Sequence, residues 1–190
     1  MKKLLATAVI LTAAILASDY AYSNKTNMDA KYCNAQTAIS EAEVKQAQTK
    51  WAKSIIEIGM ANNPKQKAIE TIDNLYGFDV DKVLFKPTLA SADQFRTDKK
   101  EALSYFVGGD NPEDAGFALR GFTNIKFNNE AIITNCDMAM AMGNYFFTTK
   151  EGEKMKVEYS FGYKKLPNQA VKIVLHHSSL PYKPLYSVSK

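Results

Sequence analysis

The chain has 190 residues, a net charge of +4 at neutral pH and 46% hydrophobic side chains. That length fits one folded domain. Its lysines are scattered, which excludes the clustered basic footprint of a nucleic-acid binder; the small surplus permits an anionic ligand without requiring one.

Lys2 and Lys3 precede an apolar segment over 4–17, and Ala21-Tyr22-Ser23 supplies small residues for cleavage. This pattern predicts a signal peptide over 1–23 and an exported protein, periplasmic or secreted. The apolar segment is short for a membrane span, which needs roughly 20 residues; an uncleaved anchor is the alternative. Residues 24–34 are polar and read as a flexible lead-in to a single domain over 35–190. Cys33 and Cys136 could form a disulfide after export. Cys136 also lies in an apolar run, where a buried free thiol is equally at home.

A helix is expected from about Ala35 to Asn62, because Val44, Ala47, Trp51, Ile55 and Ile58 form one apolar stripe. Asn63-Pro64 reads as an N-cap followed by proline at the first helical position. The second helix then runs to about Tyr76, with Ala68, Ile69, Ile72, Leu75 and Tyr76 inward and Gly77 as its C-terminal stop. Val83-Leu84-Phe85 is a short strand broken by Pro87. Thr97 is the expected cap of a third helix over 98–107, with Ala102, Tyr105 and Phe106 on its inner face.

Strand patterns then dominate, near 117–128, 130–149, 154–166 and 170–180. The clearest alternates Val157, Tyr159, Phe161 and Tyr163 with polar residues or glycine. The run over 130–149 is long for one strand, so a bulge or bend is expected near Asn135 or Gly143. Helices first and strands last define an α+β fold. A strongly curved antiparallel sheet wrapped over the helices would make a cone with an internal pocket.

Both histidines of the chain fall in the tail Leu175-His176-His177-Ser178-Ser179-Leu180-Pro181. Strict alternation puts Val171, Ile173, Leu175, His177 and Ser179 on the core side, where polar groups must be paired or used. His177 is then either a satisfied core imidazole or a working group. Neighbours on a strand point to opposite faces, so one metal cannot easily collect both imidazoles. A three-histidine zinc site needs one histidine more than the chain has. Zinc or another divalent ion would need a mixed-ligand site for which no spacing is present, so no cofactor is expected.

This tail resembles the C-terminal signature of the iota-class carbonic anhydrases. Other segments resemble the family in the same order: Leu75-Tyr76-Gly77, Leu84 to Ser91 (LFKPTLAS), Phe95-Arg96, Tyr105-Phe106, Met142 to Thr148, and Val157 to Tyr163. The resemblance covers about 45–181. It implies a cone fold similar to nuclear transport factor 2 and to the kinase association domain, a homodimer, and reversible hydration of carbon dioxide to bicarbonate. One departure matters: the family signature often has three consecutive histidines, and Leu175 stands in the first place here. That favours the cofactor-free branch.

In that branch a threonine, a tyrosine and a serine bind bicarbonate. The resemblance carries these roles to Thr88, Tyr105 and Ser179, with Ser178 as second choice. Each has a plainer reading: a turn hydroxyl for Thr88, core packing for Tyr105. His177 would be the general base or proton relay, since an imidazole's ordinary pKa near ~6.5 suits transfer at neutral pH. Phe106 and Phe161, with Phe85 and Ile173, would wall a dry site. The alternatives are a non-catalytic ligand-binding or dimerisation module of the same fold, and another enzyme using His177 as a base.

Overall fold

The computed structural model describes residues 33, 34 and 36–184. The signal peptide expected over 1–23, and all of 24–34 except Cys33 and Asn34, lie outside the described residues. Helix α1 spans Glu41–Met60. It begins later than the expected start near Ala35, because Ser40 caps it. The Ser40 Oγ accepts from the Glu43 amide, and the Glu43 carboxylate accepts from the Ser40 amide at 2.9 Å. Helix α2, Pro64–Leu75, is capped by Asn63 with proline at its start, as expected. Gly77 is not a left-handed stop. Tyr76 leaves the helix extended, and Gly77 lets the chain press on the final strand, its N–H donating to the Ile173 carbonyl at 2.9 Å. A Cβ at Gly77 would meet Val174 at 3.1 Å.

Strand β1 is Leu84–Lys86, and helix α3 is Lys99–Val107. Asp98, not Thr97, caps α3 and completes a capping box with Glu101. A short 3-10 turn, Phe117–Leu119, leads to β2, Phe122–Asn135. Next come β3, Met138–Thr149, β4, Lys154–Lys165, and β5, Val171–Ser179. The expected strand over 130–149 is thus a hairpin. Its turn passes through Cys136, which sits at φ 51° without glycine or proline to signal it. Opposite Gly143 the β2 strand bulges at Glu130.

The five strands pair in the order β1-β5-β4-β3-β2. The sheet is curved and mixed rather than wholly antiparallel, because β1 runs parallel to β5. The α+β class holds. The inner face carries Ala139, Ala141, Tyr145, Phe147, Val157, Tyr159, Phe161 and Tyr163, all buried with Trp51, Ile55 and Ile58 of α1. The outer face leaves Leu84, Ile133, Met138, Met140 and Met142 exposed. Cys33 and Cys136 form a disulfide with a Cα separation of 4.9 Å, which ties the segment before α1 to the β2–β3 turn. No helix among the described residues is long and apolar enough to cross a membrane.

Candidate active site

The site is set by one extra residue in β5. Tyr163 pairs with Ile173, but the next β4 residue, Gly162, pairs with Leu175. Val174 is the bulge residue, and it reverses the alternation beyond it. His176 and Ser178, not His177 and Ser179, therefore face the core, each only 2% exposed. This corrects the inward assignment of His177 and Ser179. His177 is exposed on the outer face. Ser179 donates there to the Glu158 carboxylate at 3.1 Å. Both border an outer cleft of about 420 Å³ with Asn144 and Ser160.

Inside, five side chains form one hydrogen-bonded wire. The Trp51 indole N–H donates to the Tyr76 hydroxyl at 2.8 Å. Tyr76 Oη lies 2.8 Å from His176 Nδ1. His176 Nε2 lies 2.9 Å from Ser178 Oγ, and Ser178 Oγ lies 2.6 Å from Tyr145 Oη. Two rings sandwich the imidazole, Phe85 with centroids 4.6 Å apart and Phe161 at 4.1 Å. Phe106 stacks one layer further out, against Phe85. Burial, with the neighbouring His177 charge, holds the His176 pKa well below its ordinary range. The ring is therefore neutral at neutral pH. Burial likewise pushes the Tyr76 and Tyr145 hydroxyls well above the ordinary phenol range.

Thr88 follows β1 in the turn after Pro87 and adjoins the hydroxyls of both Tyr145 and Tyr105. Tyr105 comes inward from α3, as its place on the helix face predicts. Its hydroxyl is buried and has no hydrogen-bond partner. The Thr88 hydroxyl and the Leu89 backbone come near enough to moderate the rise that burial causes in its pKa, but neither is placed for a hydrogen bond. Tyr105 also borders a small cleft of about 140 Å³ with Leu89, Glu113, Asp114 and Arg120. Thr88, Tyr105 and Ser178 thus converge, joined by Tyr145, at the end of the wire. A larger groove of about 680 Å³ lies elsewhere, between α1 and β2.

A buried clamp holds this corner. The Arg96 guanidinium, fully buried, donates twice to the Asp114 carboxylate at 2.8 and 3.2 Å. The Arg96 amide donates to the Phe85 carbonyl at 2.9 Å. Glu113 accepts from the amides of Ser91, Ala92 and Asp93, and the Ser91 amide is foremost in lowering its pKa to about 2. Together they fasten the loop carrying Thr88 to the loop that follows α3.

Sequence reading missed Tyr145, His176, Tyr76 and Trp51 as polar partners. Tyr76 and Trp51 stood out as inward residues, and a buried tyrosine or tryptophan needs a partner for its polar atom. That signal was available, but the identity of the partner was not. Tyr159, on the same inner face, donates its hydroxyl to Asn129 at 2.6 Å.

The family whose model is described as "Metal-independent carbonic anhydrase" matches residues 42–180. The chain belongs to the metal-independent carbonic anhydrases, and its enzyme class is carbonic anhydrase. A metal-independent carbonic anhydrase of Nostoc sp. (strain PCC 7120) is 40% identical over 154 residues, 76% of this chain and 75% of that protein. The crystal structure of the iota-carbonic anhydrase from a cyanobacterium, complexed with bicarbonate, superposes with a TM-score of 0.75 at 38% identity. That alignment covers 78% of this chain and 96% of the other. The resemblance read from LFKPTLAS and the histidine tail is therefore the right one. Cofactor-free operation follows from membership of this family. Among the described residues no group of three or more His, Cys, Asp or Glu side chains is placed to hold a metal ion.

Proposed function

We propose that Thr88, Tyr105, Ser178 and Tyr145 form the bicarbonate site at which this chain hydrates carbon dioxide. One observation carries the assignment: the buried Tyr105 hydroxyl has no partner of its own and lies beside Thr88, which also adjoins the Tyr145–Ser178 pair. A buried hydroxyl left unpaired is costly, and an oxyanion placed between these groups would satisfy it. The relative crystallised with bicarbonate supports the ligand.

The reaction adds a water oxygen to the carbon of carbon dioxide and releases one proton to solvent. Neutral hydroxyl donors aimed at the developing carboxylate stabilise it where water is excluded. All three tyrosines at hand stay protonated at neutral pH, since burial raises their pKa values. Phe85 and Phe161 keep the His176 flank dry. His177, exposed on the outer face, takes no part in this scheme, and neither does Ser179.

Stopped-flow carbon dioxide hydration tests the assignment. Thr88→Val and Tyr105→Phe should each lower kcat/KM by roughly 10- to 100-fold, somewhat below the loss for a single oxyanion donor elsewhere, with the fold intact by circular dichroism. Full activity in both would remove these residues from the site and move the chain toward a ligand-binding module.

Export and dimerisation belong to the same proposal. The lysine-led apolar segment and the Cys33–Cys136 disulfide support an oxidising, exported setting. The exposed Leu84, Ile133, Met138, Met140 and Met142 of the outer sheet face support a homodimer that covers them. Light scattering on the mature protein checks the dimer: a monomeric mass would refute it.

A further inference from the structure

The wire behind the site has a direction, and Trp51 sets it. An indole N–H can only donate, and that of Trp51 donates to Tyr76 Oη at 2.8 Å. Among the described residues the Tyr76 hydroxyl has one other polar neighbour, His176 Nδ1 at 2.8 Å. A buried hydroxyl proton without an acceptor is costly. The Tyr76 proton therefore points at Nδ1, which makes Nδ1 the bare nitrogen of the ring. A neutral imidazole then carries its proton on Nε2 and donates it to Ser178 Oγ at 2.9 Å.

Ser178 and Tyr145 share the next bond, 2.6 Å long. Whichever of the two hydroxyls donates across it, the other keeps a proton that the wire does not use. That spare donor lies beside Thr88, where an anion would need it. Were the wire reversed, Ser178 would give its proton to His176, and this end would offer an anion only a lone pair. The same bookkeeping rules out His176 as the base that activates Ser178, because the nitrogen facing Ser178 already holds a proton.

We propose that Trp51 is a positioning residue of the hydration reaction: by donating to Tyr76 it locks His176 in the Nε2–H tautomer and leaves a hydroxyl donor free at the Ser178–Tyr145 end of the wire. This rests on the assignment of that end as the bicarbonate site. Trp51 touches no reacting atom and acts through three intervening bonds. Its ring also packs edge-on against His176, with centroids 5.4 Å apart, so the orientation of the imidazole is held as well as its tautomer.

Nitrogen-15 NMR of histidine-labelled protein reads the tautomer directly. The His177→Gln variant serves as the parent, because it leaves His176 as the one histidine signal. A single Nε2–H form is expected, and an Nδ1–H ring in the parent overturns the proposal without any further variant. Trp51→Phe removes the N–H that bars the Tyr76 proton from turning away from Nδ1, so the hydroxyl can accept from the ring as well as donate to it. This variant should show both tautomers and a kcat/KM lower by roughly tenfold, in the range typical of outer-shell partners. If Trp51→Phe does not fold, Tyr76→Phe breaks the wire one bond later and should give the same mixture. A folded variant that keeps a pure Nε2–H ring and full kcat/KM overturns the role of Trp51. Failure of the underlying site is seen separately: Ser178→Ala with undiminished hydration would remove the bicarbonate assignment while leaving the tautomer result standing.

Discussion

His176–Ser178 and His177–Ser179 are the same two residue types at the same spacing on one strand, and the fold gives them opposite surroundings. The first pair is buried between Phe85 and Phe161 and joined to Tyr76 and Tyr145. The second pair lies on the outer face, with Ser179 donating to Glu158. Residue type therefore decides little here. What separates the pairs is the pleat, and the pleat is set by one bulge at Val174. One imidazole faces solvent; the other, in a dry aromatic slot, is a fixed dipole that holds a hydroxyl in place.

The sharpest way to break this comparison is to remove each ring in turn. His176→Ala leaves a cavity and strips partners from the Tyr76 and Ser178 hydroxyls, so it should cost about 3–5 kcal/mol in denaturant melts. His177→Ala should cost less than about 0.5 kcal/mol, as for an ordinary surface position. Equal costs would mean that the two faces are not as different as the packing implies.

A pH titration of stability sharpens the same contrast. The folded-state pKa of His176 is depressed well below its value in the unfolded chain, near ~6.5. Below about pH 6.5 the unfolded chain therefore binds a proton that the folded one refuses. Stability should be fully present above that pH and fall by up to about 1.4 kcal/mol per unit as pH drops toward the folded-state pKa. At the alkaline end the raised tyrosines act in the other direction. Unfolded phenols ionise above about pH 10, so stability should fall again there. His177→Gln should keep an acid limb, because burial is the first cause of the His176 depression and the His177 charge only the second, whereas an acid limb that vanishes in that variant would assign it to the wrong ring.

The smallest effect is expected on the outer face. His177→Gln and Ser179→Ala should each keep kcat/KM within about twofold, since substitutions away from a site and a core are usually near neutral.

The helices were legible because their signals are local. The stripe from Val44 to Ile58 marked the face of α1, and Asn63-Pro64 marked the start of α2. The alternation of Val157, Tyr159, Phe161 and Tyr163 placed β4 correctly against the core. The β2–β3 turn was legible only in part: Asn135 and Asp137 are turn formers and marked a bend near Asn135, but without glycine or proline they did not show that the chain reverses there. The β5 bulge was hidden for a related reason. Val174 is as apolar as Ile173 and Leu175, and parity across a bulge shows only in the pairing with Gly162 and Tyr163. Lys172, before the bulge, is buried as well, its ammonium donating to the Asp73 carbonyl at 2.6 Å. Thr88 and Tyr105 came from the family resemblance and sit together in the fold; Ser179 came by the same route with the wrong parity.

The most direct measurement is carbon dioxide hydration by stopped flow, after exhaustive chelation and with metal content determined on the same samples, for Ser178→Ala beside Ser179→Ala. Metal-free wild-type protein should be active, Ser179→Ala should match it, and Ser178→Ala should lose about 10²–10³ in kcat/KM, as for an oxyanion donor. Loss of activity in Ser179→Ala with Ser178→Ala unaffected would contradict the inner-face site, and a wild type silenced by chelation and restored by one metal would contradict the hydroxyl-based mechanism.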